Sequence, residues 1–290
     1  MPTIDLLKAY YWLAKPGIVY GNDLSAVAGF LLASSLKGKF ELGIFAATLG
    51  GISLIIACGC VINNYIDRGL DAKMARTKWR QKMIDRIGPA RIILYGSVLG
   101  MVGFGLLLAF VNVLTVAVGA VGLFFYLVMY GVGKRQSTWG TVIGSVSGAT
   151  PIVGGYTAVG GRLDGAALIL FLAMALWQMP HFYAIAMYRY DDYRAAGLPV
   201  LPVKRGVHTA KIQILAYIAA FTIAAALLTA YGYTDKIYLA TMLALGLAWF
   251  IKGAQGLQYD DEHWARRMFR FSLAVLLVFS VAVAVGALIP

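Results

Sequence analysis

The chain has 290 residues, 60% hydrophobic and 13% charged, with a mean hydropathy of +0.76. Soluble domains carry about 25% charged and about 45–50% apolar residues, so the composition excludes a soluble globular domain and equally a disordered chain. A formal charge of +12 would suggest nucleic acid in a soluble protein, but in so apolar a chain the partner expected is the lipid bilayer and no nucleic acid.

A membrane-spanning helix needs about 20 apolar residues to cross about 30 Å of hydrocarbon. Hydropathy predicts nine, at 18–36, 42–62, 92–110, 113–131, 138–159, 165–187, 212–231, 237–255 and 271–289. Asn112 divides a run too long for one crossing. The fifth helix is glycine-rich and carries Pro151, a combination that membrane helices tolerate. The lead with Lys8 and Lys15, and the Asn22–Asp23 pair, do not suit a cleaved signal, so the first helix is expected to be retained. Cys58 and Cys60, two apart, would point to different sides of a helix and read as small buried apolar residues rather than shared metal ligands.

Alternating the nine spans places 21 of the 25 lysines and arginines on one side and four on the other. Basic residues concentrate on the cytoplasmic side. The expected architecture is therefore an all-α membrane protein, residues 1–290 forming one polytopic domain with the N-terminus cytoplasmic and the C-terminus outside.

Two long cytoplasmic segments, 63–91 and 188–211, concentrate acids. If the second helix continues past Ile62, then Asn63, Asp67 and Asp71 fall at i, i+4 and i+8 on one face. Two carboxylates and an amide oxygen suit Mg²⁺, which takes one or two carboxylates together with water and substrate phosphates. Lys73, Arg76, Lys78 and Arg80 follow and could meet phosphate charge directly. In the second segment, His181, Tyr188 and Asp192 fall at i, i+7 and i+11, again one helical face, with Asp191 turned off it. His181 lies inside the sixth span, and an intramembrane ionisable residue is a functional candidate. His208 and His263 lie in cytoplasmic loops and are expected to be solvated.

The stretch NNYIDRGLDAKMART (63–77) resembles the first aspartate-rich motif of the UbiA superfamily of intramembrane prenyltransferases. With KPGIVYGN (15–22), TVIGSVSGATPIVGGY (141–156) and LWQMPHFYAIAMYRYDDYRAAGLPVLPV (176–203) it resembles, within that superfamily, the haem O synthase branch. The resemblance implies a nine-helix bundle around a cavity open to the cytoplasm, in the bacterial inner membrane. It implies farnesyl transfer from farnesyl diphosphate to the vinyl group of haem b with addition of water, giving haem O, with Mg²⁺ as the metal. A haem A-forming enzyme or a terminal oxidase would be the downstream partner.

By the same resemblance Asn63, Asp67 and Asp71 hold Mg²⁺ and the diphosphate, and Asp191 and Asp192 serve a second metal or diphosphate position. A second motif poorer in acids than is usual in the superfamily favours one metal held mainly by the first. Asn22, Asn64, Lys134, Arg135 and Tyr193 join the expected substrate contacts, and His181 or Tyr188 would manage the proton. Gly69 stands where the branch usually has an acid, and Asp23 where an apolar residue would be ordinary. Two other readings compete: a UbiA relative that prenylates an aromatic acid or a chlorin, and a transporter. A transporter would place its ionisable groups near the bilayer centre, whereas here they cluster at one boundary.

Overall fold

The computed structural model describes residues 6–258 and 261–286, and every regular element among them is helical. A short helix, α1 (Leu6–Leu13), precedes α2 (Pro16–Lys37) and α3 (Leu42–Ile66). Two short helices, α4 (Arg68–Asp71) and α5 (Trp79–Ile87), lead to α6 (Pro89–Phe110), α7 (Val113–Gln136), α8 (Gly140–Gly160) and α9 (Gly165–Tyr188). After α10 (Tyr190–Ala195) and α11 (Leu201–Arg205) come α12 (Val207–Ala230), α13 (Lys236–Gln255) and α14 (Asp261–Gly286). Eight of these, α3, α6, α7, α8, α9, α12, α13 and α14, are long and apolar enough to cross a membrane. The chain is a multi-pass membrane protein. Helix α2 has 22 residues, about 33 Å at 1.5 Å per residue, but carries Asn22 and Asp23 within its length.

Several expected boundaries move for one reason: a helix need not stop where its hydropathy does. Helix α3 runs to Ile66 rather than 62, α12 begins at Val207 rather than 212, and α14 begins at Asp261 rather than 271. Polar side chains on the emerging turns satisfy solvent while the backbone ladder continues inside the helix. Lys211 is satisfied differently: it is buried, and its ammonium bonds Asp261 at 2.7 Å and tethers α12 to the start of α14. The expected span end at 287–289 lies outside the described residues. Helix α7 extends to Gln136 and contains one wider π turn at Phe125–Met129.

The turns opposite the acidic segments are short and capped. Asn112 accepts from the Thr115 N–H at the start of α7 and donates to the Thr157 and Ala158 carbonyls at the end of α8. Asp164 and Asp235 cap α9 and α13 in the same way, satisfying amides that hydrocarbon cannot. Pro151 cannot donate to the Ser147 carbonyl four residues back, and the Thr150 hydroxyl fills that vacancy at 2.7 Å. The Asp23 carboxylate accepts from Ser53 of α3 at 2.8 Å, which gives this acid a helix-to-helix role.

Helices α2, α3, α7, α8, α9 and α14 enclose a central hollow. What lets α2 lie close to α8 is the absence of side chains at two points. A Cβ on Gly155 would stand 1.9 Å from the Ala26 carbonyl oxygen, and one on Gly29 2.0 Å from that of Ile152. Small residues at helix contacts are the membrane solution to close packing, since lipid supplies no hydrophobic drive between helices. Gly155→Ala is expected to cost about 1–3 kcal/mol by overpacking, read as a lower thermal midpoint in detergent. Gly131→Ala, where the added atom meets nothing within 4 Å, should leave the midpoint unchanged or raise it.

Candidate active site

The first acidic motif begins in the last turn of α3. That helix ends at Ile66, with Asp67 at its C-cap. The hydrogen bonds nevertheless run on, from the Asp67 N–H to the Asn63 carbonyl at 2.9 Å and from the Asp71 N–H to the Asp67 carbonyl at 2.8 Å. The four-residue spacing therefore survives the break at Asp67, and Asn63, Asp67 and Asp71 all line the hollow.

Each carboxylate is met by basic side chains. Asp67 accepts from the Lys134 ammonium in a close ion pair and from Arg135 at 3.0 Å. Lys134 also donates to the Asn63 amide oxygen at 3.3 Å and lies 4.9 Å from the centre of the Tyr130 ring, over its face. Arg80 reaches Asp71 at 3.3 Å, and the Thr77 hydroxyl donates to the Asp71 carbonyl at 3.0 Å, holding the turn that carries Arg76. Across the mouth, Met74, Ala196 and Leu198 form a small apolar cluster with Leu70, Tyr193 and Val200 packed on it, so the two acidic segments close on each other.

Below this polar rim the cavity becomes apolar, with a volume of about 530 Å³. Its walls include Ile52 and Ile55 of α3, Val118 and Leu123 of α7, and Trp177 and Ile185 of α9. That volume lies in the range of small-molecule sites. An anionic head group at the rim with an apolar chain beneath is the ligand shape this gradient accepts. The rim also offers hard oxygen donors, the two carboxylates and one amide, of the kind Mg²⁺ takes. Among the described residues no cluster of three histidine, cysteine, aspartate or glutamate side chains forms a protein-only metal cage.

The structure brings together only part of the expected set. Asn22, Asn63, Asp67, Asp71, Arg76, Arg80, Lys134, His181 and Tyr193 line the cavity, and Arg135 reaches it through Asp67. Lys73 and Lys78 are exposed and off its wall. Asn64 is buried, but its amide donates to the Leu13 carbonyl at 2.7 Å, tying α1 to α3. The expected row of His181, Tyr188 and Asp192 is not one helical face, because α9 ends at Tyr188 and a new helix starts after Arg189. Tyr188 packs instead against Phe269 and beneath Arg266. Asp192 is off the cavity wall, and Asp191 is 88% exposed and paired with Arg194.

One residue escaped the motif reading. Lys15, between α1 and α2, lines the cavity and is the only non-glycine with positive φ, 51°, among the described residues. Such strain concentrates at functional sites. The Asn64–Leu13 hydrogen bond holds the chain two residues before it. Burial pulls its pKa below the usual lysine range, partly offset by Cys60, Asp71 and Asp67. Its only sequence signal was its place at the head of KPGIVYGN.

Residues 24–284 match the UbiA prenyltransferase family. The chain belongs to that family. It is 44% identical to the protoheme IX farnesyltransferase of Protochlamydia amoebophila, over 96% of this chain and 98% of that protein. It is also 44% identical to the protein of the same name from Shigella flexneri, over 98% of this chain and 96% of that one. Among solved UbiA-type folds, a digeranylgeranylglyceryl phosphate synthase superposes with a TM-score of 0.79 at 18% identity, covering 98% of this chain and 99% of that one. A UbiA homologue from Archaeoglobus fulgidus, bound to GPP and Mg²⁺, gives 0.68 at 16% identity, covering 96% and 99%.

As a UbiA-family rim, this one should read phosphate with only some of its cations. Arg76→Ala and Arg80→Ala are each expected to weaken prenyl-diphosphate binding about tenfold or more, since hydrogen bonds to charged groups contribute about 1.5–3 kcal/mol. Lys73→Ala and Lys78→Ala should not. Because burial lowers the Lys15 pKa, any share it has in the affinity should be lost at lower pH than that of ordinary lysines. Lys15→Arg should move that limb to higher pH in a binding titration.

Proposed function

We propose that this chain transfers the farnesyl group of farnesyl diphosphate to a vinyl group of protohaem IX, with addition of water, to give haem O. The full-length 44% identity to proteins named protoheme IX farnesyltransferase carries this reading. The graded cavity, charged at the rim and apolar below, supports the donor's shape. The working unit is the whole chain, residues 1–290, as one domain: α2 is the ninth span, the N-terminus faces the cytoplasm and the C-terminus the other side of a bacterial inner membrane. Its support is the 21-to-4 division of basic residues.

Asn63, Asp67 and Asp71 would hold Mg²⁺, which supplies positive charge to the departing diphosphate. Asp192 and Asp191 stand off the cavity wall, so the metal role rests with the first motif. Lys15, Arg76, Arg80, Lys134 and Arg135 bind the diphosphate oxygens, with Asn22 and Tyr193 flanking them. Lys134, Arg135 and Arg80 pair with the carboxylates that would otherwise take the metal. They are thus stored at the rim and released to phosphate as those carboxylates engage. The apolar wall keeps the prenyl chain out of water while the allylic carbon–oxygen bond breaks and the diphosphate leaves with the electron pair. The vinyl carbon then bonds to the allylic carbon, water adds to the resulting cation, and a proton is lost.

Purified protein given haem b, farnesyl diphosphate and Mg²⁺ is expected to produce a more hydrophobic haem, resolved by reversed-phase chromatography. Chelation of Mg²⁺, Asp67→Ala or Asp71→Ala should each abolish it. Product that survives chelation would remove the metal assignment, and prenylation of a phenolic acid in place of haem would remove the acceptor.

A further inference from the structure

His181 sits in an apolar wall, yet its ring is not free to turn. It stacks on Trp177 with centroids 5.0 Å apart and planes 25° from parallel, and Phe269 lies 5.0 Å away on α14. Its Nδ1 stands 2.8 Å from the Ser272 hydroxyl oxygen. That hydroxyl has one proton, which it donates to the Phe269 carbonyl at 2.6 Å. Both contacts can be hydrogen bonds at once only if the oxygen accepts from the ring, which places the imidazole hydrogen on Nδ1.

Two consequences follow. Neutral imidazole protonated at Nδ1 leaves its lone pair on Nε2, and no donor approaches that atom among the described residues. The residue also lines the cavity, seven positions and so about 10 Å along α9 from the mouth end at Tyr188. A histidine whose far nitrogen donates to a fixed oxygen, whose ring is clamped, and whose other nitrogen is bare is arranged as metal ligands are. Phe182, Ile185 and Leu276 line the cavity with it, an apolar surround that suits a porphyrin better than a hydrated ion.

We propose that His181 is the axial ligand of the acceptor haem, bonding its iron through Nε2, and that Ser272 is the positioning residue that fixes the ligating tautomer. The inference rests on the haem-acceptor reading above and gives that acceptor an address on α9 and α14. Ligation moves no electron and breaks no bond; it fixes the iron's position and so the depth at which the macrocycle meets the prenyl carbon. A histidine committed to iron cannot also carry the proton lost when water adds, so the proton step belongs to another group.

The test uses the purified full-length protein in detergent, titrated with ferric and ferrous haem b and followed by visible absorption and electron paramagnetic resonance. The wild type is expected to give a nitrogen-ligated spectrum. His181→Ala should lose that spectrum while still binding farnesyl diphosphate, and added imidazole should restore it. Ser272→Ala should lower haem affinity about tenfold or more, the usual effect of removing a ligand's hydrogen-bond partner, and this arm stands even where the alanine at 181 prevents folding. Haem bound with the same spectrum in wild type and His181→Ala, or unaltered affinity in Ser272→Ala, would overturn the proposal and leave the farnesyl-transfer reading intact. A wild type that neither binds nor farnesylates haem would overturn both.

Discussion

Asp67 stands at the end of α3, where the helix leaves hydrocarbon, and its carboxylate is held by Lys134 and Arg135 from the last turn of α7. Removing the carboxylate would cost about 3–5 kcal/mol, since it leaves the enclosed Lys134 charge uncompensated. The contact works together with what holds α7 elsewhere. Only 17% of its most apolar window is buried inside the protein, but its inner face is close-packed: an added Cβ on Gly122 would stand 2.2 Å from the Thr150 hydroxyl of α8, and one on Gly59 of α3 3.0 Å from the Tyr126 ring. At one end Asn112 ties it to the α8 carbonyls, and at the other the ion pairs tie it to α3. Polar contacts at the two ends and small-residue packing between them together place this wall of the cavity.

The hollow depends equally on where the bundle is tight. At Gly29 and Gly155 backbone meets backbone, and α2 and α8 cannot be separated without losing that contact. On its other face α8 presents Gly140, Gly144 and Gly148 to the cavity. Gln178 lies so close to Gly148 that an added Cβ would stand 2.0 Å from its amide oxygen. One glycine-rich helix therefore packs closely on α2 on one side and on the side chains that rim the cavity on the other. That double use explains a low hydropathy for a buried span.

Eight of the nine expected spans were legible because crossing hydrocarbon demands apolar length, and the capped turn at Asn112 was legible as a break in a run too long for one helix. The i, i+4, i+8 row of Asn63, Asp67 and Asp71 was legible too, since its backbone hydrogen bonds persist through Asp67. The second row was not, because a break at Arg189 turns Asp192 away from the face His181 occupies. Among the basic residues after Asp71, only folding separates Arg76 and Arg80 on the cavity wall from Lys73 and Lys78 in solvent. Lys15 was hidden for a deeper reason. Its place comes from a left-handed turn and from a hydrogen bond between Asn64 and Leu13, 51 residues apart, and no local pattern encodes either.

Charge at the rim explains why carboxylates and cations are mixed there instead of separated. Four cations, Lys15, Arg76, Arg80 and Lys134, and two carboxylates, Asp67 and Asp71, line the cavity, an excess of two positive charges. Four unpaired cations around an apolar hollow would repel one another and carry a large desolvation penalty. Pairing some of them with Asp67 and Asp71 lowers that cost before any ligand arrives, and the remaining excess still favours an anion. A ligand bringing both a diphosphate and a divalent cation can take both halves of each pair at once, so every separated partner finds a new one. Neither component alone offers that exchange, which makes the binding of each depend on the other. On the metal assignment proposed above, the same ion pairs that hold the mouth in shape would make it selective for a metal-bound diphosphate over either part by itself.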